Sequence, residues 1–270
     1  MAVISVVIPA LNDSAMLAVC LDDLAHQSRL ADEIVVVDNG STDDTAEVAR
    51  GAGARVVTEL RHGIPAATAT GFDAALGTII GRLDADSRPP ENWLAEIEAR
   101  FEADPGLSAV TGPAEFYGAN RAVRRLGEVL YIGGFFWSMG WLLGHPPLFG
   151  SNFAITAAAW NRIRQTCHRD VRELHDDLDL SFQFRPGMRV EYDRALLVGV
   201  SARPFGSLRG LGRRLHWAYT TVATNAREQP LLARRADHRS WDRRHAVVDP
   251  TFVGEDVGST DFGGAELGTD

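Results

Sequence analysis

The chain has 270 residues, 45% hydrophobic and 23% charged, the balance of a folded globular protein and not of a mostly disordered one. Its formal charge is -9, but six of the acids (Asp249, Glu255, Asp256, Asp261, Glu266 and Asp270) follow Val247 with no base among them, so the body is closer to neutral and nucleic acid is not an expected partner. All 27 basic residues are arginine, and Cys20 and Cys167 lie far apart without metal-ligand spacing, which fits a reducing cytoplasm.

The N-terminus runs directly into Val3 to Pro9, an apolar run without the basic region or cleavage site of a secretory signal, and reads as a first strand. Leu17, Cys20, Leu21 and Leu24 follow with i, i+3, i+4, i+7 spacing, the buried stripe of a helix. Glu33 to Asp38 is the second strand. Ser41-Thr42-Asp43-Asp44 has the composition of a helix N-cap directly after it, and Gly51-Ala52-Gly53 ends that helix instead of opening one, so it is a C-cap and not a dinucleotide fingerprint. Arg55 to Thr58, Thr78 to Asp84 and Leu107 to Thr111 are further strands, with Trp93, Leu94, Ile97 and Phe101 forming a helical stripe after Pro89-Pro90. This alternation predicts an α/β domain with a mostly parallel sheet covered by helices on both faces. Beyond residue 112 the pattern loosens to a strand near Phe153 to Thr156, a helix around Asp176 to Phe184 and a strand near Val190. One domain is expected, in two halves, 1–112 and 113–246, with an acidic tail over 247–270.

In an open parallel sheet, ligands bind at the carboxyl ends of the strands. The first strand ends at Pro9-Ala10-Leu11-Asn12, the second at Asp38-Asn39-Gly40-Ser41 and the fourth at Asp84-Ala85-Asp86, so three polar strand ends converge. A single acid after a strand is ordinarily a turn former or cap; a pair is different. Two carboxylates about 4 Å apart at an effective dielectric near 20 repel by on the order of 4 kcal/mol, which a shared divalent cation offsets. Oxygen ligands of this kind suit Mg²⁺ or Mn²⁺.

Val6-Val7-Ile8-Pro9-Ala10-Leu11-Asn12, Ile34-Val35-Val36-Val37-Asp38-Asn39-Gly40-Ser41-Thr42-Asp43 and Leu83-Asp84-Ala85-Asp86 together resemble the nucleotide-binding half of family 2 glycosyltransferases, in order and spacing. The resemblance implies a GT-A fold. It implies that Pro9, Ala10 and Asp38 contact the base and ribose of a nucleoside-diphosphate sugar, with Asn12 also on the donor side, and that Asp84 and Asp86 serve the ribose, diphosphate and metal, with Asp86 the more direct ligand. Gly150-Ser151-Asn152-Phe153-Ala154-Ile155 is similar to the family's segment on the donor-sugar and acceptor side. His175-Asp176-Asp177-Leu178-Asp179-Leu180-Ser181 is similar to its E-D-x-D-L-S motif, which makes Asp177 the general base beside Asp176. Without the upstream motifs, these acids read as dipole-favoured residues at a helix N-terminus.

Two segments depart from the family pattern. Where the family often shows A-R-N-x-G, this chain has Ala67-Thr68-Ala69-Thr70-Gly71, without the Arg and Asn, so Arg61 upstream is the candidate positive group for the donor. Arg213-Arg214-Leu215-His216-Trp217 looks like a degraded form of the Q-x-x-R-W motif of processive members. Its plainer reading is an amphipathic basic helix with Trp217 in the core, and transfer of a single sugar is the expectation.

Val129 to Gly144 is sixteen residues without a charge, including Tyr131, Phe135, Phe136, Trp137 and Trp141, and is preceded by Arg121, Arg124 and Arg125. It is short for a span, which needs about 20 apolar residues. Val129 to Leu143 is left as core, as a self-association surface, or as an interfacial element meeting lipid. The expected protein is thus a cytoplasmic enzyme, with peripheral contact at the inner membrane face as one of these options. It moves one sugar, with a UDP-sugar as expected donor, to an acceptor hydroxyl or a lipid-linked phosphate with inversion. A retaining transferase and a catalytically silent nucleotide-sugar-binding protein are the alternatives.

Overall fold

The computed structural model describes residues 2–118, 127, 132–203 and 208–245. The acidic tail 247–270, Arg121, Arg124, Arg125 and residues 129–131 of the apolar segment lie outside the described residues.

Strand β1 (Ile4–Ala10) is buried along its whole length, as expected of a strand covered on both faces. Its side chains alternate between two cores. Ile4, Val6 and Ile8 pack with Leu17, Cys20, Leu21 and Leu24 of α1 (Ser14–Ala25). Val7, together with Val35 and Val37 of β2 (Glu33–Asp38), packs under Ala67, Ala69 and Phe72 of α3 (Ile64–Ala74). The small residues of α3 let it lie close to the sheet: a Cβ on Gly71 would sit 2.3 Å from Val7 Cγ1 and 2.8 Å from Val37 Cγ2, inside any tolerable contact. Pro65, early in the first turn, sets the backbone for helix entry.

Helix α2 (Thr45–Gly51) starts later than the Ser41-Thr42-Asp43-Asp44 segment suggests. Those residues instead tie two strand-end loops together. Asp43 Oδ1 accepts from Thr45 N–H at 3.1 Å, Asn12 N–H donates to Ser41 Oγ at 3.0 Å, and Thr42 N–H donates to Asn12 Oδ1 at 2.7 Å. Asn12 adopts φ 52° to do so, a left-handed conformation that Asn tolerates better than most residues.

With β3 (Arg55–Thr58), β4 (Ile79–Arg82), β5 (Leu107–Thr111), β7 (Phe153–Thr156) and β8 (Arg189–Tyr192), the main sheet has the order β3-β2-β1-β4-β7-β5-β8. All its strands run parallel except β7, which is antiparallel to both β4 and β5. Strands β6 (Ala114–Tyr117) and β9 (Val198–Ser201) form a separate parallel pair that the sequence pattern does not reveal. Helices α4 (Trp93–Ala103) and α6 (Ala157–Ile163) cover the sheet. Helices α5 (Gly134–Leu143), α7 (Asp176–Gln183), α8 (Leu208–Glu228) and α9 (Leu231–His245) build the remaining layer. The expected mostly parallel α/β sandwich is present. Because β7 is reversed and pairs Phe153 with Arg82, the residues just before it, 150–152, arrive beside the carboxyl end of β4.

Candidate active site

A cavity of about 280 Å³ opens at this edge, lined by Pro9, Ala10, Asp84, Asp86, Gly150, Ser151 and Asp177 among others. A second opening, sharing Pro9, Ala10, Leu11, Ile64, Arg213 and Trp217 with the first, extends it toward Asn39, His62 and Gly63. The two together make a cleft running from the β2 end to the start of α7.

At its floor lies Arg82, the last residue of β4 and fully buried. Its guanidinium donates to Asp84 Oδ1 at 2.5 Å, to Asp176 Oδ2 at 3.0 Å and to the Gly150 carbonyl. Burial disfavours the cation, but Asp176, Asp84 and Asp177 outweigh it and hold Arg82 charged. Asp176 also accepts from Thr68 Oγ1 at 2.6 Å, so one Thr of the divergent Ala67–Gly71 segment steadies the acid that braces Arg82.

Residues 150 and 151 couple the two ends of the chemistry. Gly150 N–H donates to Asp177 Oδ2 at 2.7 Å, while Ser151 Oγ donates to Asp84 Oδ2. A Cβ at Gly150 would stand 3.0 Å from Asp177 Oδ2 and 3.2 Å from the nearest Arg82 nitrogen, so a side chain there crowds both groups. Burial works against the Asp84 carboxylate, yet Arg82 and Ser151 more than compensate and its pKa lies below the ordinary value. Asp177 goes the other way. Burial and the neighbouring Asp176 raise its pKa, only partly offset by His175, Arg82 and the Gly150 N–H. Asp86 is likewise raised, by burial and by Asp84, against the pull of Arg203. Neighbouring carboxylates with divergent pKa values characterise sites built for acid–base or metal chemistry.

Arg203, just past β9, bridges Asp13 at 3.0 and 2.9 Å and Asp86 Oδ2 at 2.9 Å. It is a half-exposed internal cation at the place where a metal at Asp86 would sit. Asp84 and Asp86 offer oxygen donors only, and two carboxylates completed by substrate phosphate oxygens suit Mg²⁺ or Mn²⁺. Among the described residues no cluster of three or more His, Cys, Asp or Glu forms a protein-only cage. The residues fit a cation shared with a ligand.

Several expected residues sit elsewhere. Arg61 is held by Glu59 at 2.9 Å and Asp170 at 2.8 Å and lines neither opening, so in this structure its charge is neutralised by its own neighbours. Asn152 is fully buried, accepting from Trp93 Nε1 at 2.9 Å and donating to the Pro113 carbonyl at 2.8 Å; it anchors the loop under the cavity. Asp38 accepts from Ser41 N–H at 2.9 Å and shapes the β2 turn, while Asn39 beside it reaches the second opening. Trp217 is not in the core: α8 sets it, with Arg213 and Arg214, on the cavity wall. His175 joins them, bonded through Nε2 to the Arg214 carbonyl at 3.0 Å. Sequence reasoning passed over Arg82, Arg203 and His175. A charged residue at an inward position of a strand is the one signal that marks Arg82.

A family model described as Glycosyl transferase family 2 matches residues 5–161. The match covers more than half of the chain, and the chain belongs to glycosyl transferase family 2. An uncharacterised glycosyltransferase of Mycobacterium tuberculosis is 39% identical over 109 residues, 40% of this chain and 47% of that protein. Glycosyltransferase AglE of Haloferax volcanii is 32% identical over 121 residues, 42% of this chain and 40% of that protein. The chain thus spans about half the length of the relatives it matches or less. Among solved structures, glucosyl-3-phosphoglycerate synthase from M. tuberculosis, in complex with Mn²⁺, uridine diphosphate and phosphoglyceric acid, superposes with a TM-score of 0.60 at 23% identity, covering 83% of this chain and 78% of that one. The fold is GT-A.

Proposed function

We propose that the chain transfers a single sugar from a nucleoside-diphosphate sugar, a UDP-sugar by preference, to an acceptor hydroxyl or lipid phosphate with inversion at the anomeric carbon. The observation that carries this reading is the clamp at 150–151, which ties the Asp84 carboxylate and the raised-pKa Asp177 carboxylate to opposite ends of one dipeptide. Inverting transfer needs such a pairing, with a base on one side of the anomeric carbon and the leaving diphosphate on the other.

Pro9, Ala10, Leu11, Asn39 and His62 offer the base and ribose end of the cleft. Asp86, with Asp84 next to it, would hold Mn²⁺ or Mg²⁺, which when bound neutralises charge developing on the departing diphosphate. A cation on Asp86 would compete with Arg203, which is half-exposed and keeps Asp13 as its second partner. Asp177 takes the proton of an acceptor hydroxyl, a task its raised pKa suits. The bond from the acceptor oxygen to the anomeric carbon forms as the bond to the diphosphate breaks. Arg82 positions Asp84 and Asp176 directly, and through the Gly150 carbonyl it steadies the dipeptide whose N–H bonds Asp177. The uridine preference is supported by the solved neighbour with uridine diphosphate and Mn²⁺.

Thermal-shift screening of nucleoside diphosphates with Mn²⁺ tests the donor end, since a ligand bound only by the folded state raises its melting temperature. Asp177→Asn is expected to abolish transfer while keeping that shift; retained turnover removes Asp177 as base. Proton NMR of the product separates inversion from retention.

A further inference from the structure

Helix α5 is apolar on every side, but only part of it is covered. Phe135, Met139, Leu142 and Leu143 turn inward onto Leu178 and Phe182 of α7, Val222 of α8 and Leu231 of α9. Trp137 and Trp141, i and i+4 on the opposite face, remain 76% and 50% exposed. The turn at Gly144 that closes α5 lies against Arg235 and His238 of α9. That contact brings the Arg235 guanidinium to 3.9 Å from the centre of the Trp141 ring. On α9, Leu232 is 69% exposed and shares the face of Arg235 and of exposed Arg239 by helical spacing. On α8, Leu215 and Tyr219 continue the stripe of Val222 toward the N-terminus and are 63% and 72% exposed. Helices α8 and α9 carry nine arginines against three acids, within a chain of net charge -9.

We propose that this face, made by α5, α9 and the outer stripe of α8, seats the protein on an anionic phospholipid surface. Tryptophan is the side chain most at home at the headgroup boundary. Arginine extends its charge to lipid phosphates while its stem lies along apolar surface, and a basic face is drawn to an anionic leaflet. The geometry separates this occupant from the others. No helix among the described residues is long and apolar enough to cross a bilayer. A second copy related by a two-fold axis would lay this arginine-rich face on its own like-charged image. Resting on the transferase reading, the seat also has a consequence for the acceptor. Arg213, Arg214 and Trp217 line the cavity from the same two turns of α8 whose Leu215 and Tyr219 face outward. A lipid-borne phosphate or hydroxyl therefore reaches the cavity by moving along the surface, without leaving it.

Vesicle flotation of the full chain tests the proposal, with phosphatidylcholine alone and with phosphatidylcholine and phosphatidylglycerol in equal parts. The parent is expected to float only with the anionic vesicles and to release in high salt. Trp137→Ser/Trp141→Ser is expected to lose flotation. Arg235→Gln/Arg239→Gln is expected to weaken partitioning on the order of thirtyfold, the contribution of two basic residues near an anionic surface. Both variants change side chains that core packing does not use, and an unchanged thermal shift with uridine diphosphate and Mn²⁺ certifies their fold and donor cleft. Loss of that shift in the parent counts against the transferase reading alone. Failure of the parent to float, equal flotation with both vesicle types, or flotation unchanged in both variants overturns the membrane seat. So does a dimer, seen by light scattering, that depends on Trp137 and Trp141 in a protein that does not float.

Discussion

Replacing Arg82 by Met keeps the length and apolar bulk of the side chain and deletes the charge that three carboxylates share. In the parent, Arg82 is 0% exposed and serves Asp84, Asp176 and the Gly150 carbonyl together. Removing one partner of a buried ion pair costs about 3–5 kcal/mol, because the charge left behind stays out of water. Asp176, buried with only Thr68 to bond it, bears most of that cost. The sign with pH follows from the same carboxylates. Asp84 has its folded pKa depressed by Arg82, so the stability it contributes is present above the unfolded value and is lost as pH falls through the folded one. Without Arg82 the Asp84 carboxylate takes up its proton at higher pH, and a neutral carboxyl tolerates burial. The deficit of Arg82→Met should therefore be largest near pH 8 and shrink toward pH 5, as read by urea unfolding with circular dichroism. A deficit below about 1 kcal/mol, or one that grows on acidification, refutes the assignment of Arg82 as the charge that holds the floor together.

Other outcomes follow from single contacts. Arg203→Gln, which removes the internal cation at Asp86, is expected to tighten Mn²⁺ binding about two- to fivefold without nucleotide, the scale of a half-exposed ion pair, as read by electron paramagnetic resonance. His168, between Asp179 at 2.7 Å and Glu228 at 3.0 Å, has its pKa raised from 6.5 to about 9. The stability it contributes is full below pH 6.5 and lost as pH rises through about 9; discounting for exposed Glu228 leaves about 1–2 kcal/mol, and His168→Gln should flatten that part of the stability curve. His145 is buried with its pKa lowered from 6.5 to about 3, so the unfolded chain takes up its proton first and stability falls as pH drops through that window. His145→Phe should lessen acid sensitivity in urea titrations between pH 6.5 and about pH 4.

The donor edge was legible because its signals are local. Strands β1 and β2, covered on both faces, read as unbroken apolar runs whose ends Pro9 and Asp38 mark, as Asp84 marks the end of β4. What escaped depends on partners far along the chain. Arg82 meets Asp176 across 94 positions and Arg61 meets Asp170 across 109, and no spacing rule reaches that far. Strand β7 carries four residues that look alike in either direction, so its reversal could not be read. The pairing of β6 with β9 joins two four-residue segments that are ordinary by composition. For Trp217 the plainer of two readings, a core position, follows from helix periodicity, but periodicity gives a face and not what that face meets; here it meets a cavity.

The reversal of β7 has a consequence for how such a protein can diversify. Strand β6 ends with Tyr117, whose hydroxyl donates to the Asp86 carbonyl at 2.6 Å, and β7 begins beside Arg82 and Asp84. The excursion between them leaves and returns at one short stretch of chain, like a loop sewn to a hem at both ends. It can be lengthened, shortened or exchanged while the stitches hold. Change in the excursion is thereby separable from the Asp84 and Asp86 edge, which stays with the hem.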